Sequence, residues 1–249
     1  MNSLLDKEVG QIVAEDYRSA AVFSKYGIDF CCNGNRNLYE VCSKKKVEVE
    51  IVVKEIEALT SDGEKQGDNF NTLPLNVLAD HIEQKHHRYV EERIPILKQY
   101  LHKINTVHGE RHPELKEIYR LFSECAGELT MHMKKEELVL FPFIRKMVLS
   151  LKHNEAVESP RFLTVTNPIQ TMRDEHESAG DIFSKISSLT HSYTPPSDAC
   201  STYKVAFLML KEFEEDLHLH VHLENNILFP KAEKLEREMV LKMPRNQAI

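Results

Sequence analysis

The chain has 249 residues, 41% hydrophobic and 29% charged, which is enough apolar material for one or two folded domains and excludes a disordered chain or a peptide scaffold. Lys plus Arg number 32 against 39 Asp plus Glu, for a net charge of −7, and the longest basic run is Lys44-Lys45-Lys46, so nucleic acid is not an expected partner. The five cysteines are odd in number and irregularly spaced, which points to reduced thiols and not to a disulfide framework.

The first eight residues lack a basic segment followed by an apolar run, and no stretch approaches the roughly 18 apolar residues of a membrane span. A cytoplasmic protein with no membrane partner is expected. Short helical pieces come first: Val9, Ile12 and Val13, then Ala20, Ala21 and Phe23, with Gly27 as a helix end and Asn33-Gly34-Asn35 as a turn. Two more short helices fit Leu38 to Lys45 and Val49 to Leu59. Thr60 to Asn69 contains no apolar residue and two glycines, so the chain divides into a small helical domain over 1–60, a linker over 61–72 and a second domain over 73–249.

From Leu73 onward four segments of helix length, 73–103, 113–151, 168–190 and 200–241, are separated by loops rich in Gly and Pro, which predicts an all-α four-helix bundle. The run Arg161 to Thr166 is the most β-like and is read as an extended loop. All thirteen histidines lie at position 81 or beyond, and the second and fourth helices share a pattern. His132-Met-Lys-Lys-Glu136-Glu-Leu-Val-Leu-Phe141-Pro142 and His220-Val-His-Leu-Glu224-Asn-Asn-Ile-Leu-Phe229-Pro230 both read His-x3-Glu-x4-Phe-Pro, 88 residues apart. His87 and His176, on the other two helices, are 89 apart, so a duplicated helix pair is the simplest reading.

Residues four apart leave nearly the same face of a helix, so each histidine and glutamate can serve one centre. Phe213, Leu217, His220, Glu224 and Ile227 follow the spacing of a buried seam, as do Leu129, His132, Glu136 and Leu140, and Ile169, Met172, His176 and Phe183. His218 and His222 share a face with Lys211, Asn225 and Asn226, which reads as solvated. On the first helix periodicity alone does not choose between His86 and His87. Buried histidines and glutamates are costly unless paired, and imidazole with carboxylate but without thiolate suits iron or manganese, with zinc also accommodated. The Glu-x2-His spacing of ferritin-like di-iron helices is absent.

Those repeats resemble a hemerythrin-like bundle. Together with Ala20-Ala-Val-Phe-Ser-Lys-Tyr-Gly-Ile-Asp-Phe-Cys-Cys-Asn-Gly34, which is similar to a small cysteine-pair domain, the whole chain resembles the iron-sulfur cluster repair di-iron proteins (the RIC, YtfE or ScdA type). The resemblance implies His87, His132, Glu136, His176, His220 and Glu224 as iron ligands, choosing His87 by its spacing to Pro95. It further implies two non-haem iron ions per chain, oxo-bridged, and a cytoplasmic role in restoring damaged iron-sulfur cluster proteins, with nitric oxide or oxygen as small ligands; it also allows a homodimer. An oxygen- or nitric-oxide-binding module and a nitric oxide reductase are the competing functions. His108 is read as an extra ligand or a residue just behind the ligands, and Glu128 and Glu175 as acids supporting the site or an exit route for iron.

Cys31 and Cys32 are too close along the chain for an unstrained bridge. Exposed in a turn, they would serve as a redox pair, a nitric oxide target or a transient hold on iron, against a competing reading as small buried hydrophobes. For Cys42, Cys125 and Cys200 burial is expected, and for His81, His102, His112, His153 and His191 a surface position.

Overall fold

The computed structural model describes residues 2–61, 70–158 and 160–242. The N-terminal part is five helices: α1 (Asn2–Leu5), α2 (Val9–Glu15), α3 (Ser19–Lys25), α4 (Leu38–Lys45) and α5 (Val49–Ser61). Local chemistry sets the ends. Gly27 takes the left-handed φ of +62° that closes α3, the Asn37 side chain accepts the Glu40 amide to start α4, and Lys46 ends that helix at φ +57°. The proposed linker falls mostly on 62–69, outside the described residues; 70–72 form a 3-10 turn.

Four long helices follow: α6 (75–108), α7 (114–153), α8 (Thr166–Leu189) and α9 (201–242). α7 packs beside both α6 and α8, and α6 beside α9. The all-α expectation holds: among the described residues there is no strand, only an isolated bridge between Glu8 and Asn37, and residues 161–165 form turns. No helix among the described residues is long and apolar enough to cross a membrane.

The core comes in two apolar clusters. One, around Leu78, Ile82, Phe141, Ile144, Ile169 and Phe229, fills one end of the bundle. The other, around Leu97, Phe122, Phe183, Phe213 and Leu217, fills the other end and continues into Val9, Phe23, Phe30 and Val52 of the N-terminal helices. Between them, contributed by all four helices, lie His87, His132, Glu136, His176, His220 and Glu224, all buried.

That shared core overturns the solvated reading of the His218 and His222 face. Phe30 packs edge-on against both rings, at 6.1 and 5.9 Å, and His222 is buried, with burial pushing its pKa down to about 4. The polar residues on that face hold the N-terminal loop: Asn226 Nδ2 donates to the Phe30 carbonyl (3.0 Å) and Asn225 Nδ2 to the Cys31 carbonyl (3.2 Å). A sequence pattern marks a polar face without saying whether water or another polar surface covers it. The burial expected of Cys200 is also overturned: it is exposed at the N-cap of α9, whereas Cys42 and Cys125 are buried.

Two consequences follow for stability. At Gly10 a β-carbon would lie 2.4 Å from Asn226 Oδ1, so Gly10→Ala should displace that amide and cost about 1–3 kcal/mol, read as a lowered Tm with faster amide exchange around Phe30 and Cys31. Burial pushes the Glu214 carboxyl up to about 7. The folded state then holds this proton more tightly than the unfolded chain, so its stabilisation is full below about pH 4.5 and is lost as the pH rises through about 7. Glu214→Gln should therefore be more stable than the parent at pH 8, by on the order of 1–3 kcal/mol in denaturant titrations, with the difference vanishing near pH 4.

Candidate metal centre

Each of three helices opens into a π turn at the polar layer: Glu83–His87 in α6, Glu136–Leu140 in α7 and Glu224–Leu228 in α9. In the last two the cause is the Phe-Pro step. Proline clashes with the carbonyl four residues back and brings no amide proton, so the helix widens and the Phe141 and Phe229 amides reach five residues back to the carbonyls of Glu136 and Glu224. No proline accounts for the turn in α6.

The six residues implied as ligands are brought together. His87, His220, Glu136 and Glu224 form one buried group and His132, His176, Glu136 and Glu224 a second, with the potential ligand atoms of each group within 4.8 Å of one another. Both glutamates belong to both groups. Glu136 Oε2 lies 3.2 Å from His132 Nε2 and 3.4 Å from His87 Nε2; Glu224 lies 3.1 Å from Nε2 of both His176 and His220.

The outer sides of the rings explain what the inner sides need. His132 Nδ1 is 2.9 Å from Glu175 Oε2, His87 Nδ1 is 3.0 Å from Glu137 Oε1 and His176 Nδ1 is 3.0 Å from Asn225 Oδ1. Each partner atom is an acceptor, so each ring places its proton outward and turns a bare Nε2 inward. Two such atoms, on His132 and His176, then face each other at 3.0 Å, lone pair against lone pair, beside Glu136 carboxylate oxygens that have no hydrogen-bond partner. That donor set fits a pair of cations. Without cations, protons must take their place: although burial opposes charge, the Glu136 carboxylate holds His132 up to about 10, while burial pushes His220 down. Burial alone would raise both glutamates, yet the facing histidines hold Glu136 and Glu224 below the usual carboxylate range.

Other expected residues separate clearly. Glu175 acts behind the centre: its hydrogen bond from His132, aided by Lys135, holds its carboxyl down to about 2. Glu128 is exposed, accepts a hydrogen bond from Ser178 Oγ at 3.5 Å, and belongs to neither ligand group. His108 does not join the cluster either. It closes α6, 21 residues and so roughly 30 Å of helix beyond His87, and its Nε2 meets Cys200 Sγ at 3.3 Å. Both His86 and His87 are buried; His87 enters the cluster, while His86 pairs with Asp216 at 3.0 Å and stacks on the His220 ring. His102, His153 and His191 are exposed, and His81 and His112 half-buried.

Two functional residues were missed by sequence reasoning, Glu137 and Asn225. The available signal was positional, since each directly follows a ligand glutamate in its repeat. The thiol pair is also more enclosed than expected: Cys31 is buried and Cys32 half-buried, with Cys32 Sγ 3.5 Å from the His176 carbonyl.

Four helices turning imidazoles and carboxylates onto one buried centre define a cation-binding bundle, and residues 78–232 match the hemerythrin HHE cation-binding domain. Residues 5–60 match ScdA_N, a domain of unknown function (DUF542). Similar chains include the iron-sulfur cluster repair protein YtfE of Citrobacter koseri, 31% identical over 92% of this chain and 98% of the relative. The iron-sulfur cluster repair protein ScdA of Staphylococcus haemolyticus is 34% identical over 90% and 96%, and an Escherichia coli YtfE 31% identical over 91% and 96%. The chain belongs to the family of iron-sulfur cluster repair proteins that these relatives represent.

If Glu137 and Glu175 orient ligand rings, Glu137→Ala and Glu175→Ala should each weaken metal binding about 10–100-fold in chelator competition, and Glu128→Ala should leave it unchanged.

Proposed function

We propose that this chain repairs iron-sulfur clusters damaged by nitrosative or oxidative stress, in the cytoplasm, from a centre of two non-haem iron ions. One ion would be held by His87 and His220, the other by His132 and His176, with Glu136 and Glu224 shared between them. When bound, the iron pair supplies releasable iron and open coordination positions for nitric oxide or oxygen. The observation that carries the reading is the doubled His/Glu group, whose two halves share both carboxylates.

The chain's own residues prepare this chemistry. Glu137, Glu175 and Asn225 fix the ring tautomers, and the two apolar clusters on either side keep bulk water from the carboxylates. Nitrogen and oxygen donors without thiolate bind iron firmly but do not sequester it as a thiolate cage would, which suits a centre whose metal must leave. The name shared by the relatives, and the N-terminal domain docked against the centre, favour repair over a simple oxygen-binding module.

The test is iron content and optical spectrum of the anaerobically purified protein, followed by mixing with an apo iron-sulfur protein. Two irons per chain, the near-ultraviolet absorption of an oxo-bridged ferric pair, and restored cluster in the acceptor are expected. Glu136→Leu should lose the paired centre and the transfer together. Zinc in place of iron, or an intact pair in Glu136→Leu, would overturn the assignment.

A further inference from the structure

Among the described residues, one further group of metal-ligating side chains is drawn together outside the bundle centre: Asp29, Cys31 and Cys32, with their ligand atoms within 4.8 Å of one another. Its geometry is that of a half-built tetrahedron. The sulfurs are 3.8 Å apart, and Asp29 Oδ1 is 3.3 Å from Cys31 Sγ. Two thiolates bound to one ion at about 2.3 Å with tetrahedral angles stand about 3.8 Å apart, so these sulfurs need almost no movement to share a cation.

Protein hydrogen bonds hold the loop in this shape. Asp29 Oδ1 accepts the backbone amides of both cysteines at 3.0 Å, Asp29 Oδ2 accepts Asn33 Nδ2, and Asn225 and Asn226 pin the carbonyls of Cys31 and Phe30. The group opens on a cavity of about 570 Å³ between the N-terminal helices and the bundle, where Glu177, Asp181 and Glu215 outnumber Lys45 and Lys211. Three protein donors and one side facing a wet, acidic cleft describe a site for exchange, because structural thiolate sites close all four positions with protein. On the inner side, Cys32 Sγ touches the His176 carbonyl and Asn225 joins the Cys31 carbonyl to the His176 ring.

We propose that Asp29, Cys31 and Cys32 form a second cation site that takes one thiophilic divalent ion, and that it holds ferrous iron in passage between the bundle and solvent. The passage role rests on the di-iron reading above; the site itself does not. Binding forms two metal–sulfur bonds and one metal–oxygen bond, releases the two thiol protons to water, and changes no oxidation state.

The experiment titrates the reduced, iron-loaded full-length protein with Co²⁺ under anaerobic conditions and follows thiolate-to-cobalt charge transfer in the near ultraviolet. One equivalent should develop the band. Cys32→Ser, at a half-buried position, should abolish it while far-ultraviolet circular dichroism stays unchanged, and Asp29→Asn, which keeps the backbone hydrogen bonds, should weaken binding at least about tenfold. Glu136→Leu should keep the band, because its lost metals belong to the bundle. No band in the parent protein, or an unchanged band in folded Cys32→Ser, would overturn the site. If the band forms but the bundle holds no iron, the thiolate site stands and the passage role falls; if the bundle is loaded and the band is absent, the site and its passage role both fall and the di-iron reading stands.

Discussion

Everything else in the bundle is arranged around two carboxylates that have no route to water. Glu136 and Glu224 are fully buried, and an unpaired carboxylate in such a place costs several kcal/mol. Four imidazoles answer that cost only in part, since three of them have their protons committed to acceptors on the outside and present bare nitrogens to the centre. The layer is thus balanced for positive charge at its middle. The apolar clusters above and below it raise the stakes, because they exclude the solvent that would otherwise screen the mismatch.

The backbone is shaped to the same end. A regular α-helix presents side chains at fixed intervals, and a π turn adds a residue and widens the helix locally, shifting what comes after relative to what comes before. Placing such turns at Glu136 and Glu224 lets the same helix carry the ligands and then resume an apolar seam with Phe141 and Phe229, both fully buried. The prolines that follow make this widening the low-energy choice, so the motif His-x3-Glu-x4-Phe-Pro encodes the ligands and the helix distortion together.

The bundle and five of its inward residues, His132, Glu136, His176, His220 and Glu224, were legible because they obey periodicity and repetition, two signals that survive in a single sequence. The boundaries of α4 and the helix end at Gly27 were legible from local turn and periodicity signals. What escaped depends on contacts between distant segments. His218, His222, Asn225 and Asn226 form a polar face whose cover, the loop around Phe30, comes from almost two hundred residues earlier. His108 was read as a further ligand from the family resemblance, but helix length alone carries it far from the centre. The choice between His86 and His87 needed a resemblance, since both are buried and periodicity has no means of telling a ligand from a buried neighbour.

The places where the two repeats differ are where the fold has departed from symmetry for a reason. At the 88-residue offset, Glu137 corresponds to Asn225 and Leu138 to Asn226. Glu137 and Asn225 do the same job, accepting from Nδ1 of a cluster histidine, but only the amide can also donate, and Asn225 gives its second bond to the Cys31 carbonyl. Leu138 is exposed, whereas Asn226 donates to the Phe30 carbonyl. A carboxylate at 225 would serve His176 equally well and repel the carbonyl of the cysteine loop. The two asparagines therefore turn one half of a duplicated bundle into a seat for the N-terminal domain, and they do so through the residue that orients a ligand, which ties the position of the thiols to the geometry of the centre.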